Sequence, residues 1–351
     1  MRILCSSDLH LGRSSLLPPE HTANTDYTAA AAWQRTVRLA LQAQVDLVLI
    51  AGDLVDQDNN ASRASSPLYQ GLAALNAARI PVVATAGNHD HAILPSLVDT
   101  FSGLSFDFLG RNGEWTQRQF SLNGQQLEVL GWSFPSSTVS ECPVSKVPPP
   151  LPGSTQRIGL VHGEVGKSCS QITPLPLSQL QNADIDLWLA GHYHSPAWYP
   201  GRRGLADVLI PGSPQALGPG AEGIHGPWLA HWQRETRPQL HQVPLSTIRY
   251  NSVPLEVTGL SPQQCAAHVP ELLQTCLHAA WHEDPAQIFA HLVCRIVLTG
   301  RHHTPQRVQE AVAEATKSCS AEQNGRSGGV GTVISRIQTA TQREKASYLT
   351  G

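Results

Sequence analysis

The sequence predicts an α/β protein followed by a smaller α+β module, and three observations carry that reading. Five short apolar runs, at 2–5, 46–50, 81–84, 158–161 and 186–190, each stop at a polar motif. Helix-length segments separate the first three runs, which is the β-α-β-α-β order of a parallel sheet. Past residue 250 the texture changes to two helices and two strands with no polar motif of this kind.

Taken in order, continuous apolar runs of four or five residues are what strands covered on both faces look like. The first leads to Asp8-Leu9-His10. Residues 27–44 follow, rich in alanine, with Trp33, Val37, Leu41 and Val45 at three-to-four spacing, the pattern of a helix with one apolar face. The second run ends at Gly52-Asp53, residues 67–78 repeat the helical pattern, and the third run ends at Gly87-Asn88-His89-Asp90. Between 106 and 134 shorter runs are broken by Gly110, Gly113 and Gly124, which predicts strands in hairpin-like order. Residues 135–154, rich in Pro and Ser, read as an irregular loop, either a connector or a segment bordering a site. The last two runs end at Val161-His162-Gly163 and Gly191-His192-Tyr193-His194, and 207–213 and 228–231 add further strands.

Domains are expected at 1–250 and 251–351. In the second, Ser261-Pro262 opens a helix that Pro270 kinks or ends, 288–298 forms a strand, Thr304-Pro305 opens a helix with Val308 and Val312 inward, and 333–337 forms another strand. His268, His278, His282, His291, His302 and His303 have no matching carboxylate cluster and read as structural or surface residues.

Composition bounds the function. A chain of 351 residues has room for two domains, and its net charge of −3 supplies no global basic field, so any contact with nucleic acid must be local. No apolar stretch reaches the roughly 18 residues of a membrane-spanning helix. Seven cysteines, an odd number without a Cys-x-x-Cys pair, and the lack of a leader before Asp8 predict reduced thiols in a cytoplasmic protein.

Each polar motif alone is weak. Together they offer imidazoles, carboxylates and an amide oxygen at the ends of sheet strands, where α/β proteins place their sites. That is the ligand inventory of two adjacent metal ions, and without thiolate it suits Mn²⁺, Fe²⁺ or Zn²⁺ better than Ca²⁺ or an iron–sulfur cluster. Two ions about 3.5 to 4 Å apart need a shared carboxylate, and Asp53, lying between motifs on both sides, is the natural bridge. On an extended segment the Asp8-x-His10 alternation points both side chains the same way.

In combination, Asp8-x-His10, Gly52-Asp53-x-x-Asp56, Gly87-Asn88-His89-Asp90, His162 and Gly191-His192-x-His194 resemble the calcineurin-like metallophosphoesterase superfamily over residues 1–245. The resemblance implies a four-layer α/β/β/α metallophosphoesterase sandwich, here with a small C-terminal α+β capping module. It implies one ion held by Asp8, His10, Asp53 and His194 and a second by Asp53, Asn88, His162 and His192. His89 would lie beside the scissile phosphate, its imidazole oriented by Asp56.

Within the superfamily, Asp8-Leu9-His10-Leu11-Gly12-Arg13, Pro211-Gly212-Ser213-Pro214-Gln215 and the C-terminal module look like the SbcD-type and YhaO-type DNA repair exonucleases. That resemblance implies a two-metal exonuclease or endonuclease, manganese first among its metals, and DNA as partner. An SbcC-like or YhaN-like ATPase subunit and a homodimer are further expected partners. The implied mechanism is attack by a hydroxide shared between the ions, with His89 as proton donor. Two rival readings fit the same residues: hydrolysis of a small nucleotide or cyclic nucleotide, and a non-catalytic DNA-end or ATPase-binding module.

Overall fold

The computed structural model describes residues 1–16, 25–56, 61–202, 204–234, 236–284, 286, 288–324 and 332–339. The chain falls into two compact units, Met1–Leu217 with His225–Leu245, and Gly218–Ile224 with Ser246–Gly351.

The first unit runs β1 (Arg2–Ser6), α1 (Ala29–Gln42), β2 (Leu47–Ala51), α2 (Ala61–Ala77), β3 (Val82–Thr85), α3 (Leu94–Asp99) and β4 (Phe106–Phe108). It continues through β5 (Thr116–Leu122), β6 (Gln125–Gly131), β7 (Gln156–His162), β8 (Glu164–Val165), β9 (Pro174–Leu175) and α4 (Leu177–Asn182). Then come β10 (Leu187–Gly191), β11 (Ala197–Tyr199), β12 (Asp207–Ile210), β13 (Trp228–His231) and β14 (Gln239–Gln242).

Two six-stranded sheets result, ordered β14-β13-β1-β2-β3-β4 and β11-β12-β10-β7-β6-β5. Strands β1 to β4 run parallel, as do β12, β10, β7 and β6, while the outer strands β13, β14, β11 and β5 pair antiparallel. Side chains alternate along each strand, so every apolar run serves two cores. Ile3, Cys5, Leu47, Leu49 and Val83 meet Leu127, Val129, Ile158, Leu160, Leu187 and Leu189 between the sheets. Leu4, Val48, Ile50 and Val82 face outward onto Trp33, Val37, Leu68, Leu72 and Leu75 of α1 and α2. On the other outer face Val161, Trp188, Ala190 and Val208 pack with Leu175 and Leu180. The layers are therefore α/β/β/α, and the unbroken apolar runs follow from burial on both faces.

Local chemistry sets the helix ends. Thr28 caps α1, its hydroxyl accepting from the Ala31 N–H at 3.1 Å. Ala29, Ala32, Trp33, Thr36, Val37 and Ala40 form the buried face of α1, and Leu41, expected on that face, is exposed. Helix α2 begins at Ala61, earlier than the expected 67, and contains Pro67, whose carbonyl accepts the Trp33 indole N–H at 3.1 Å.

The second unit is β15 (Ile248–Glu256), α5 (Pro262–Glu283), β16 (His291–Thr299), α6 (Pro305–Asn324) and β17 (Thr332–Thr339). Its three strands pair in that order and all parallel, with the two helices as crossovers. Segment Gly218–Ile224 belongs here: Glu222 bridges Tyr250, and Gly223 N–H donates to Tyr250 O at 3.0 Å. The sequence boundary at 250 thus falls inside β15. A Ser261 and Gln264 capping box starts α5, which continues through Pro270 to Glu283 rather than ending there. Pro270 lies on the exposed face, where solvent can satisfy the carbonyl left without its donor. His302 Nε2 contacts Leu260 O at 2.8 Å and His278 stacks on Trp281, so both serve local structure. All seven cysteines are free thiols, and no helix among the described residues is long and apolar enough to cross a membrane.

Candidate metal centre

Parallel strands from both sheets end at one place. Asp8 and His10 follow β1, Asp53 and Asp56 follow β2, Asn88 and His89 follow β3, His162 closes β7, and His192 and His194 follow β10. Asp8 (φ 51°), His10 (φ 47°), Asp53 (φ 53°) and His192 (φ 102°) all have left-handed backbone. Such residues are uncommon outside glycine and cluster at functional sites. Asp8 and His10 therefore converge through these tight turns, not through the extended alternation the sequence suggested.

Three glycines make the approach possible. A Cβ at Gly52 would land on the His162 imidazole, one at Gly87 on the Asp53 carboxylate, and one at Gly191 on the Ala51 carbonyl. The loops are tied by polar contacts. Asp8 accepts the His192 N–H at 3.0 Å, and Asp53 Oδ1 accepts the His89 N–H at 2.9 Å. Asp90 is fully buried and accepts from Gly87 N at 2.8 Å with one oxygen and from Leu54 N at 2.7 Å and Val55 N at 3.3 Å with the other. Asp90, a motif residue with no expected role, fixes the Asp53 loop against the Asn88 loop. Its place at the end of Gly87-Asn88-His89-Asp90 was the available signal, since Asp side chains bind nearby backbone N–H groups in turns.

Two donor groups face each other across Asp53. On one side His10 Nε2 and His194 Nε2 are 3.0 Å apart, and Asp8, His10 and His194 bring one ligand atom each within 4.8 Å of one another. On the other, His162 Nε2 lies 3.1 Å from Asn88 Oδ1, and Asp8, Asp53 and His162 form a second such group. Asp53 Oδ2 sits 3.7 Å from His10 Nε2 and 3.3 Å from His162 Nε2. His192 joins neither compact group; its ring packs 5.5 Å from that of His162, centroid to centroid.

The donor set fits a cation. His162 Nδ1 is 3.1 Å from the Ala51 carbonyl, which assigns the proton to Nδ1 and turns the Nε2 lone pair toward Asn88 and Asp53. Once His162 gives up its second proton, nitrogen and oxygen lone pairs converge here, as metal ligands do. Titration follows the same geometry. Burial, then the charge of Asp53, pushes Asp8 up to about 7. Burial would raise Asp53 too, but the imidazoles of His162 and His10 hold it below the usual carboxylate range. Burial alone would lower His162, yet Asp53 and Asp8 raise it to about 9. Burial, with neighbouring imidazoles, lowers His192 and His194 to about 4.

The His89 side chain is 33% exposed and its ring lies 5.0 Å from that of His10, centroid to centroid, while Asn88, His192 and His194 are half-buried. Its Nδ1 lies 3.7 Å from Asp56 Oδ1, longer than a hydrogen bond, so the orienting bond expected from Asp56 is not formed. Asp56 pairs directly with the guanidinium of Arg13, the last residue of the motif 8–13, for which no role was expected. His10, Asp56 and His89 also bring ligand atoms within 4.8 Å of each other, but a carboxylate already neutralised by Arg13 is a poor third cation site.

Fold and site define a metal-dependent phosphoester hydrolase. The chain belongs to the calcineurin-like phosphoesterase family, which it matches over residues 1–210. Over 257 residues it is 25% identical to YhaO of Bacillus subtilis, described as an uncharacterized metallophosphoesterase, covering 64% of this chain and 56% of that protein. The chain thus spans a little over half of that relative's length. Among solved structures it is similar to the calcineurin-like phosphoesterase YfkN from Bacillus subtilis, 15% identical, TM-score 0.42, covering 80% of this chain and 98% of the other. It is also similar to a dimetal phosphatase from Danio rerio, 14% identical, TM-score 0.43, covering 69% and 98%.

Proposed function

We propose that this phosphoesterase is a two-metal DNA nuclease acting in DNA repair, with Mn²⁺ as the favoured ion and Fe²⁺ or Zn²⁺ as alternatives. The observation that carries the two-metal reading is the position of Asp53 Oδ2 between His10 and His162. Asp8, His10, Asp53 and His194 would hold one ion, and Asp53, Asn88, His162 and His192 the other. A bound pair of divalent ions supplies Lewis acidity, lowering the pKa of water and neutralising charge on the phosphoryl oxygens.

The chain's own part follows from placement. The tight turns at Asp8, His10 and Asp53 set the directions in which these donors point. His89, partly exposed, donates a proton to the leaving oxygen or hydrogen-bonds the phosphoryl group as its charge builds. Arg13 pairs with the Asp56 carboxylate nearby. A site with one half-exposed rim accommodates a phosphodiester within a polymer, and the motif 8–13 and the segment 211–215, which resemble repair exonucleases, favour DNA as that polymer. An SbcC-like or YhaN-like ATPase subunit is the partner proposed from the same resemblance.

The test is incubation of purified protein with Mn²⁺ and end-labelled DNA, alongside bis-p-nitrophenyl phosphate and a cyclic nucleotide. Cleavage of the small diester and of DNA is expected. Hydrolysis of the cyclic nucleotide with intact DNA would transfer the reading to a small-nucleotide phosphoesterase. No hydrolysis of any substrate by metal-loaded protein would remove catalysis altogether.

A further inference from the structure

Four of the seven cysteines, Cys265, Cys276, Cys294 and Cys319, lie in or against the small core of the second unit. Two of them meet. Cys276 on α5 and Cys294 on β16 place their Sγ atoms 3.6 Å apart. Roughly 1.5 Å of approach would bring them to the ~2.05 Å of a disulfide. The pair is asymmetric, with Cys294 buried and Cys276 half-buried.

Packed thiols are commonly inert small hydrophobes, and Cys265, fully buried, fits that description. Cys276 does not. The Asn251 side-chain amide donates to its Sγ at 3.5 Å, and Arg249 Nε holds that Asn251 through its oxygen at 3.2 Å. Cys294 donates its S–H to the same sulfur. Three neighbours therefore favour negative charge on Cys276: the Cys294 donor first, then, against burial, Asn251 and the Arg249 charge. Together they lower it to about 6, while the same pairing and burial push Cys294 well above the ordinary thiol range. A thiolate is the attacking species in disulfide exchange, and a partly accessible one beside a second thiol is the arrangement that exchange needs.

We propose that Cys276 and Cys294 form a redox modification site, which a low-molecular-weight disulfide converts into a disulfide bond joining α5 to β16. The Cys276 thiolate attacks one sulfur of the small disulfide, forming a mixed disulfide and expelling one thiolate. Cys294 then gives up its proton and attacks Cys276 Sγ, expelling the second. Two protein thiols are oxidised to one disulfide, one small disulfide is reduced to two thiols, and the two protein protons end on the released thiols. The bond ties the second half of α5 to the strand that follows it, eighteen residues on.

The full chain is treated with oxidised glutathione, its thiols are counted after unfolding, and the non-reduced peptides are mapped by mass. Loss of two thiols to a Cys276–Cys294 bond that dithiothreitol reverses is expected. Cys294→Ser should stop at a glutathione adduct on Cys276, and Cys276→Ser should leave Cys294 unmodified. The mapping of the unaltered protein decides even where a variant folds poorly. Cys276 and Cys294 remaining thiols while exposed Cys169 is modified would overturn the proposal, as would modification of Cys294 at an unchanged rate in Cys276→Ser.

Discussion

Asp53 is the residue on which the proposed centre depends most, because one of its oxygens is held by the His89 backbone and the other faces both donor groups. Asp53→Ala should remove both ions and abolish hydrolysis, whereas His10→Ala should weaken mainly one. Elemental analysis of the two variants checks this, and two ions persisting in Asp53→Ala would end the bridging role. His89→Ala should keep both ions and lower turnover by roughly 10²- to 10⁴-fold, the usual effect of a lost general acid. If metal is lost in step with activity instead, His89 is a ligand. A third expectation concerns protons. His192 and His194, lowered to about 4, offer lone pairs at neutral pH without losing a proton, whereas His162, raised to about 9, must shed one. Mn²⁺ binding near neutral pH should therefore release about one proton, more if Asp8 contributes, and apparent affinity should climb with pH toward the His162 value. Calorimetry in two buffers of different ionisation heat measures the release; its absence would show that His162 already stands neutral.

At the scale of elements, α1 and α2 show how packing overrides propensity. Gly71 lies within α2, where alanine would ordinarily be favoured by about 1 kcal/mol. A Cβ there would land on the ring of Trp33, which is fully buried. Overpacking of that kind costs about 1–3 kcal/mol, so Gly71→Ala should lower the thermal midpoint despite its better helix propensity. A raised midpoint would show that the ring shifts freely. The same logic separates what was legible in the sequence from what was not. Strands buried on both faces announce themselves as apolar runs, and β1, β2, β3, β7 and β10 were all readable for that reason. So were the motifs at their ends. Strand β5, whose exposed and half-buried residues alternate at a sheet edge, left little such signal, and neither did the start of α2 ahead of Pro67. The site residues were legible as types. What positions them was not, because left-handed φ at Asp8 and Asp53 leaves no residue-type pattern, and the Leu54 and Val55 bonds to Asp90 and the Arg13–Asp56 pair join positions far apart in sequence.

For the whole molecule, a net charge of −3 means that any grip on DNA must come from local cations, and the second unit supplies candidates without a metal site of its own among the described residues. Arg295 is engaged within that unit, its guanidinium bound to Glu222 at 2.9 Å and Ser252 at 2.8 Å. Arg301, Arg307 and Lys317 are exposed, and under the proposed nuclease reading they are the cations of this unit that would meet phosphate. Substituting them in the full chain is cleaner than truncation, since β15 begins just after the first unit ends and Gly218–Ile224 would be left without the strand it bridges. Arg301→Ala, Arg307→Ala and Lys317→Ala together should weaken DNA binding uniformly across sequences. They should also shallow the slope of log affinity against log salt by up to roughly 0.9 per cation, because each phosphate contact releases a counterion. Hydrolysis of bis-p-nitrophenyl phosphate, which needs only the metal centre, should be unchanged. If DNA cleavage and its salt dependence both survive the triple substitution, the second unit is not where DNA is held.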